Sequence, residues 1–488
     1  MKKILALIVL RIICTCQVSW AQEVTPSFSS ALNKGNYHQA LVLWPALNEA
    51  RNSSPTNEAL FAYALYKDNM PLLGFDKLAS IQDLNSVSKS VKNLWRNELG
   101  VNSPFWRNTN VTWNKKLSAI FPSQTASIIS AWSLRDLKSD GDFKKAQGLL
   151  RDLEGTDSGA WVKWQLALGY GLSNRTAVAV DYLQSLVNSD QRAVGQDEVL
   201  MAAARMLYQD NKLDLAMKYY DKVSKSSDYW LEAVEEKAWI YARLGNFERT
   251  LGEMKTALNP AFSSQIGPES YFLATLANLR VCDYASIFEI FKTFKERNQA
   301  RIIEIQKLAD TGHNQVSDQA LVKLEAGVET WADLGNDLDK VPRFVNRDEA
   351  LNRAISLQRM GHQQKVEINK LASENSYYSY FASSANQTSK NLEQAAPLRL
   401  KVLAGQDVAE MKKNLMKLQI VDAEAVHRMH VGQTYAQEIK GGAERPKVKN
   451  AIEFPYENNE IWLDEIDHYQ ATAKGCPVNK SARVSQRK

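Results

Sequence analysis

Only four cysteines, 13 prolines and six histidines occur in 488 residues. So few cysteines rule out a disulfide-rich scaffold, and no paired-His motif with an adjacent Glu is present to hold zinc. Proline and glycine are too scarce for a low-complexity linker. Neither sign of charge prevails: 60 basic against 55 acidic residues leave +5, which gives no argument for nucleic-acid binding. Beyond the first 21 residues no segment is apolar enough to suggest a membrane span. No Gly-rich loop precedes Lys-Ser or Lys-Thr, and no nucleophile elbow occurs, so no enzymatic activity and no cofactor is expected. What remains is a soluble composition, 44% apolar and 24% charged.

The first segment reads as a secretory signal, 1–21. Lys2 and Lys3 form a positive start, Ile4 to Ile13 an apolar run interrupted by Arg11, and Ser19-Trp20-Ala21 a small-x-small site cut before Gln22. A lipoprotein reading would use Cys14 or Cys16, whose Ile and Thr neighbours fit a lipid-attachment box poorly. Cleavage removes three basic residues and no acid, taking the net charge from +5 to +2. It also leaves two cysteines, Cys282 and Cys476, in an oxidising compartment, either as a disulfide or as two unpaired thiols. The expected location is the periplasm, with or without peripheral outer-membrane association.

One pattern recurs through the middle of the chain. It appears as Gly141-Asp142-Phe143 with Ala146, Asn174-Arg175-Thr176 with Ala179, and Asn211-Lys212-Leu213 with Ala216. It returns as Gly245-Asn246-Phe247 with Thr250 and as Cys282-Asp283-Tyr284 with Ile287. The small-residue positions 146, 179, 216, 250 and 287 lie 33, 37, 34 and 37 residues apart. A period near 34 marks a helix-turn-helix solenoid. The Gly, Asn or Cys-Asp stands where a first helix stops and the chain reverses, and the small residue lets the second helix approach its neighbour. Matching first-helix positions are Leu166, Ala167 and Tyr170; Ala203, Ala204 and Leu207; Lys237, Ala238 and Tyr241; and Ala274, Thr275 and Asn278. The pattern resembles the tetratricopeptide repeat, from which Lys237, Thr250, Thr275 and Ile287 depart.

The predicted fold is all-α: a tetratricopeptide-like solenoid over 22–295 with an irregular segment at 100–125. Gly35-Asn36-Tyr37 and Asp68-Asn69-Met70 extend the pattern towards the N-terminus. The aromatic cluster Phe105, Trp106, Trp113 and Phe121 is expected to plug a joint between helices. Residues 296–375 read as a long helical hairpin or as two stretched repeats, with helices ending at Thr311-Gly312, spanning Asp318–Leu338, and spanning Asp348–Glu374. Residues 376–450 carry further helices, Ser389–Leu403 and Asp407–Lys440. Residues 451–488 hold a docking helix, Asn459–Tyr469, and a basic tail.

Two short motifs suggest chemistry and are read structurally. Ser86-Val87-Ser88-Lys89 has the spacing of penicillin-binding proteins without their other motifs. Glu424, His427 and His430 sit three apart on one helix, as solvated faces often do, so no metal site is assigned. Glu269-Ser270 resembles the start of the lytic transglycosylase motif, but the rest of that motif is missing and Glu269 suits a helix first turn.

In tetratricopeptide repeats the inner groove is lined by first-helix residues facing away from the second helix. That geometry implies Trp161, Trp164, Leu168, Met201, Arg205, Tyr208, Glu235, Trp239, Arg243, Phe272 and Arg280 as a partner-binding wall, rich in the types that dominate binding energy. The stretches Tyr229–Ala233, Asn259–Phe262, Pro268-Glu269, Cys282–Tyr284 and Trp462–Glu465 with Cys476 resemble envelope repeat proteins associated with gliding-motility machinery. The resemblance implies a non-enzymatic scaffold that binds protein partners in a Gram-negative envelope assembly. The alternatives are an outer-membrane assembly accessory and a peptidoglycan-acting enzyme with an unrecognised site.

Overall fold

The structure, a computed structural model, describes residues 26–49, 54–109, 111–189, 193–431, 466–471 and 476. The expected leader, most of 451–488 and the end of the Asp407–Lys440 helix lie outside the described residues. In chain order the helices are α1 (Pro26–Asn33), α2 (Tyr37–Glu49), α3 (Pro55–Lys67), α4 (Pro71–Ser80), α5 (Lys89–Glu98), α6 (Pro104–Asn108) and α7 (Gln124–Trp132). The middle holds α8 (Asp140–Asp152), α9 (Asp157–Leu172), α10 (Thr176–Val187), α11 (Gln196–Gln209), α12 (Leu213–Tyr220), α13 (Trp230–Arg243) and α14 (Phe247–Ala257). There follow α15 (Pro268–Val281), α16 (Tyr284–Thr311), α17 (Gln315–Ala326), α18 (Glu349–Glu374), α19 (Ser379–Leu392) and α20 (Ala395–Val431). No strand occurs among the described residues. None of their helices is long and apolar enough to cross a membrane.

The chain is all-α, a solenoid of helix-turn-helix pairs. From α8 to α16 each helix packs on the next in sequence. The pairs turn on residues in the left-handed backbone region: Gly35, Asn69, Asn174, Asn211, Gly245 and Cys282. Gly and Asn adopt this region most readily, which is why they recur there. Ala146, Ala179, Ala216, Thr250 and Ile287 are all 0% exposed, so the repeat register read from the sequence is the register of the core. Gly141 is the exception among the turn residues. It lies inside α8, whose first turn is fixed by a capping box between Ser139 and Asp142, and the positive-φ residue upstream is Asp136.

The chain divides into two compact units. The smaller comprises residues 1–129 and 357–392. Its centre is Trp44, stacked on Phe61 with ring centroids 4.5 Å apart and with Phe28 at 5.7 Å. Two tyrosines from the α18–α19 turn complete it. Tyr377 Oη accepts a hydrogen bond from Trp44 Nε1 at 3.0 Å, and buried Tyr378 donates from its hydroxyl to the Leu41 carbonyl. Helix α4 has no side-chain cap at Met70, and the buried Gln364 of α18 supplies what is missing by accepting from Leu73 N at 2.8 Å. Phe105, Trp106 and Phe121 are buried against Phe75 and Tyr66, a plug rather than an open cluster.

The larger unit comprises residues 130–356 and 393–488. Here the predicted hairpin over 296–375 is corrected. Helix α16 ends at Gly312 as expected, but its long partner is α20, and α20 packs on α15 as well. The predicted helix Asp318–Leu338 stops at Ala326, where Gly327 takes φ +71°. The chain resumes as a 3-10 segment, Trp331–Lys340, begun by a Thr330–Asp333 capping box and kinked at Gly335. Conversely, no break separates Leu403 from Asp407. Gly405 sits within α20 with open space where a side chain would be, and Pro397 falls in the first turn, where its missing N–H costs nothing.

Candidate protein-binding face

The first helices α9, α11, α13 and α15 present the predicted wall, and the larger unit covers part of it itself. Trp161, Trp164 and Met201 are buried. Trp161 packs on Trp132 at 5.7 Å, with the Arg135 guanidinium 4.7 Å from its ring centroid. Phe272 is half-buried, packed against a cluster that includes Leu418 of α20, with Lys417 Nζ 4.6 Å from its ring. These four side chains are core or near-core, because packing within the unit consumes the surface a partner would need.

Residues 341–347 form a strap over α13. Arg347 bonds Glu232 at 2.8 Å and lies 4.1 Å over the Tyr229 ring, and Asn346 bonds Asp228. Arg343 bonds Glu410 at 2.6 Å, and its backbone N–H reaches Asp407 at 3.2 Å. Asp407, 6% exposed, also pairs with Arg301. Gly267 lies directly beneath the Arg343 guanidinium, where a Cβ would fall 1.9 Å from a guanidinium nitrogen and make that side chain shift. Nothing in the repeat pattern signalled the strap. Its only sequence mark is the basic-aromatic run Arg343-Phe344-Val345-Asn346-Arg347 after the Val341-Pro342 break.

Glu235, half-buried, accepts a hydrogen bond from Ser270. Burial pushes its carboxyl up to about 8, against the lowering effect of that bond, and Glu269 adds to the rise. The folded form therefore keeps a proton that the unfolded chain, at the ordinary 4.5, releases. Stability is lost as pH rises from 4.5 towards 8. Glu253, pushed up to about 7 chiefly by burial, acts in the same direction. Glu235→Gln is expected to remove part of this decline. Melts at pH 5 and pH 8.5 should differ less for the variant than for the parent chain, and an unchanged difference would count against the assignment.

The rest of the wall is accessible. Leu168, Tyr208 and Trp239 are half-buried, and Arg205, Arg243 and Arg280 are exposed. Arg205 is tied to Glu232 and Glu236 at 2.9 and 2.6 Å. Arg243 lies 5.3 Å over Tyr208, and Trp239 packs 6.1 Å from Phe272. Arg243 and Arg280 make no ion pair among the described residues.

One departure from the repeat pattern, Lys237 on α13, is answered by the C-terminal segment. Lys237, at the position that Leu166, Ala203 and Ala274 hold in the other repeats, reaches Asp467 at 2.9 Å, Asp221 at 3.4 Å and Glu253 at 3.6 Å. Thr256 Oγ1 accepts from Asp467 N at 2.9 Å, and Lys225 donates to the Ile466 carbonyl. A Cβ on Gly252 would lie 2.4 Å from the Tyr469 carbonyl oxygen, so the C-terminal segment sits where only glycine allows. Cys476 is bonded to Cys282 at the end of α15, with Cα atoms 5.3 Å apart. The expected docking helix is corrected at its described end: Ile466 and Asp467 form a turn, and 468–471 are irregular.

The remaining motifs have structural roles. Ser88 caps α5 by accepting from Val91 N, and Ser86 bonds Asp83. Glu424 pairs with Arg428 at 2.7 Å. Glu269 stands in the first turn of α15, 4.0 Å from Lys417.

No known protein family matches the chain by its profile. No curated protein matches it. Among solved structures, yeast Tom70 is similar at 13% identity over 85% of this chain and 91% of that one, with a TM-score of 0.25. So low a score bears on neither mechanism nor partner.

Proposed function

We propose that this chain is an exported, non-enzymatic scaffold of a Gram-negative envelope assembly, of the kind that serves gliding motility. It holds an acidic, extended segment of a protein partner on the accessible part of the α11–α15 first-helix face. The observation that carries the reading is the strip Tyr208, Trp239, Arg243 and Arg280. These are aromatic and guanidinium groups left accessible where neighbouring positions of the same face are buried, and Arg243 and Arg280 make no ion pair among the described residues. The Cys282–Cys476 bond supports export, since such bonds persist in oxidising compartments.

Crosslinking and pull-down from intact envelopes test this. Trp239→Ala combined with Arg243→Glu should reduce recovery of the crosslinked partner at least tenfold while moving the melting temperature by no more than a few degrees. Trp164→Ala, at a buried position, should lower stability instead. Undiminished capture by the Trp239/Arg243 variant would remove this face from consideration.

A further inference from the structure

In the smaller unit, three side chains of different elements converge: His38 in the first turn of α2, Asp68 at the C-terminal cap of α3, and Glu367 on α18. We propose that they form a site for a divalent transition metal of the zinc class, with the fourth position left to water.

Geometry comes first. One ligand atom from each residue lies within 4.8 Å of the other two, and His38 Nδ1 is already 3.2 Å from Asp68 Oδ2. Zinc takes nitrogen and carboxylate oxygen at about 2.0–2.2 Å in a tetrahedron, which sets ligand atoms about 3.4 Å apart. The His–Asp pair meets that spacing as it stands, and the two edges to Glu367, each within 4.8 Å, are the ones a side-chain rotation of Glu367 would have to close.

The charges point the same way. Two carboxylates face one imidazole, with the Lys370 ammonium of α18 the other cation acting on Asp68. Glu367, half-buried, makes no hydrogen bond or ion pair among the described residues, so one carboxylate of the three-residue group is uncommitted. One imidazole and two carboxylates suit zinc-class ions. Calcium, which needs six to eight oxygens, finds too few here. A bound ion would fasten α18 to the first two repeats across the same joint that Tyr377 and Tyr378 fill.

The test uses the full mature chain stripped with a chelator. Zn2+ titrated calorimetrically should show a site that His38→Gln and Glu367→Gln each weaken by about 100-fold or more, beyond the 10–100-fold that loss of an outer partner costs. His427→Gln, on α20, should leave it unchanged, and Co2+ should give the visible bands of a four-coordinate ion in the parent chain only. Zn2+ should raise the melting temperature of the parent chain and of neither ligand variant. If His38→Gln lowers the metal-free melting temperature, Glu367→Gln keeps the test decisive, because that side chain has no hydrogen bond or ion pair to lose among the described residues. Parent-like Zn2+ affinity in both ligand variants, or tighter binding of Ca2+ than of Zn2+, overturns the proposal.

Discussion

Asp407→Ala is expected to destabilise the larger unit by about 3–5 kcal/mol. The carboxylate, 6% exposed, sits among Arg301, Arg343 and the Arg343 backbone N–H, and both arginine side chains are nearly as enclosed, at 9% and 10%. Removing the anion leaves two guanidinium groups in a poorly solvated interior. Arg301 retains the Asp339 and Val341 carbonyls, and Arg343 retains Glu410, so neither cation is stranded completely. That partial compensation keeps the cost in the range of a broken buried pair. Arg301→Met with Asp407→Leu removes charge of both signs and should recover much of the loss, since apolar groups of similar volume often replace buried ion pairs without penalty. Denaturant melts followed by hydrogen exchange in α16 and α20 would measure both. A single-variant loss below about 1 kcal/mol would mean that water reaches the network.

Trp44→Ala should cost the smaller unit about 3–5 kcal/mol, the range for emptying a large aromatic site in a close-packed core. Trp44 is 1% exposed, stacks on Phe61, touches Phe28 and donates to Tyr377. The substitution therefore opens a cavity and removes a donor from a half-buried hydroxyl at once. The loss should appear as faster hydrogen exchange in α2, α3 and the 376–378 turn together, because the same ring joins them. Exchange that quickened in α2 alone would show that the tyrosine turn is held by other contacts.

The repeats were legible because their signal is local. A turn residue with positive φ, a helix start and a small residue fall within a few positions, so Asn174, Asn211, Gly245 and Cys282 can be read without knowing what lies across from them. Gly141 misled because a capping box can place a glycine inside a helix as readily as at its end. The coverings of the wall were not legible. Burial of Trp161 depends on Arg135 and Trp132, that of Phe272 on Leu418 and Lys417, and the seat of Arg347 on Glu232 more than a hundred residues earlier. Such pairings leave no periodic trace. The aromatic and arginine types that suggest an interface are also the types that close a joint. Lys237 is instructive in the other direction: its misfit to the repeat was visible, and the reason, Asp467, lay 230 residues away.

Trp44 and Tyr377 are 333 positions apart, yet they share one hydrogen bond at the centre of the smaller unit. During synthesis the first two helical pairs leave the ribosome early and must wait, with Trp44 and Phe61 incompletely covered, until the turn after α18 arrives. Closing so long a loop carries an entropic cost and slows the search, in contrast to the neighbour-to-neighbour assembly open to the repeats between α8 and α16. The earliest repeats to be made thus wait longest for the segment that closes them, 333 positions against 230 for Lys237 and Asp467, and a holdase that shields apolar surface should be needed most at the N-terminal end.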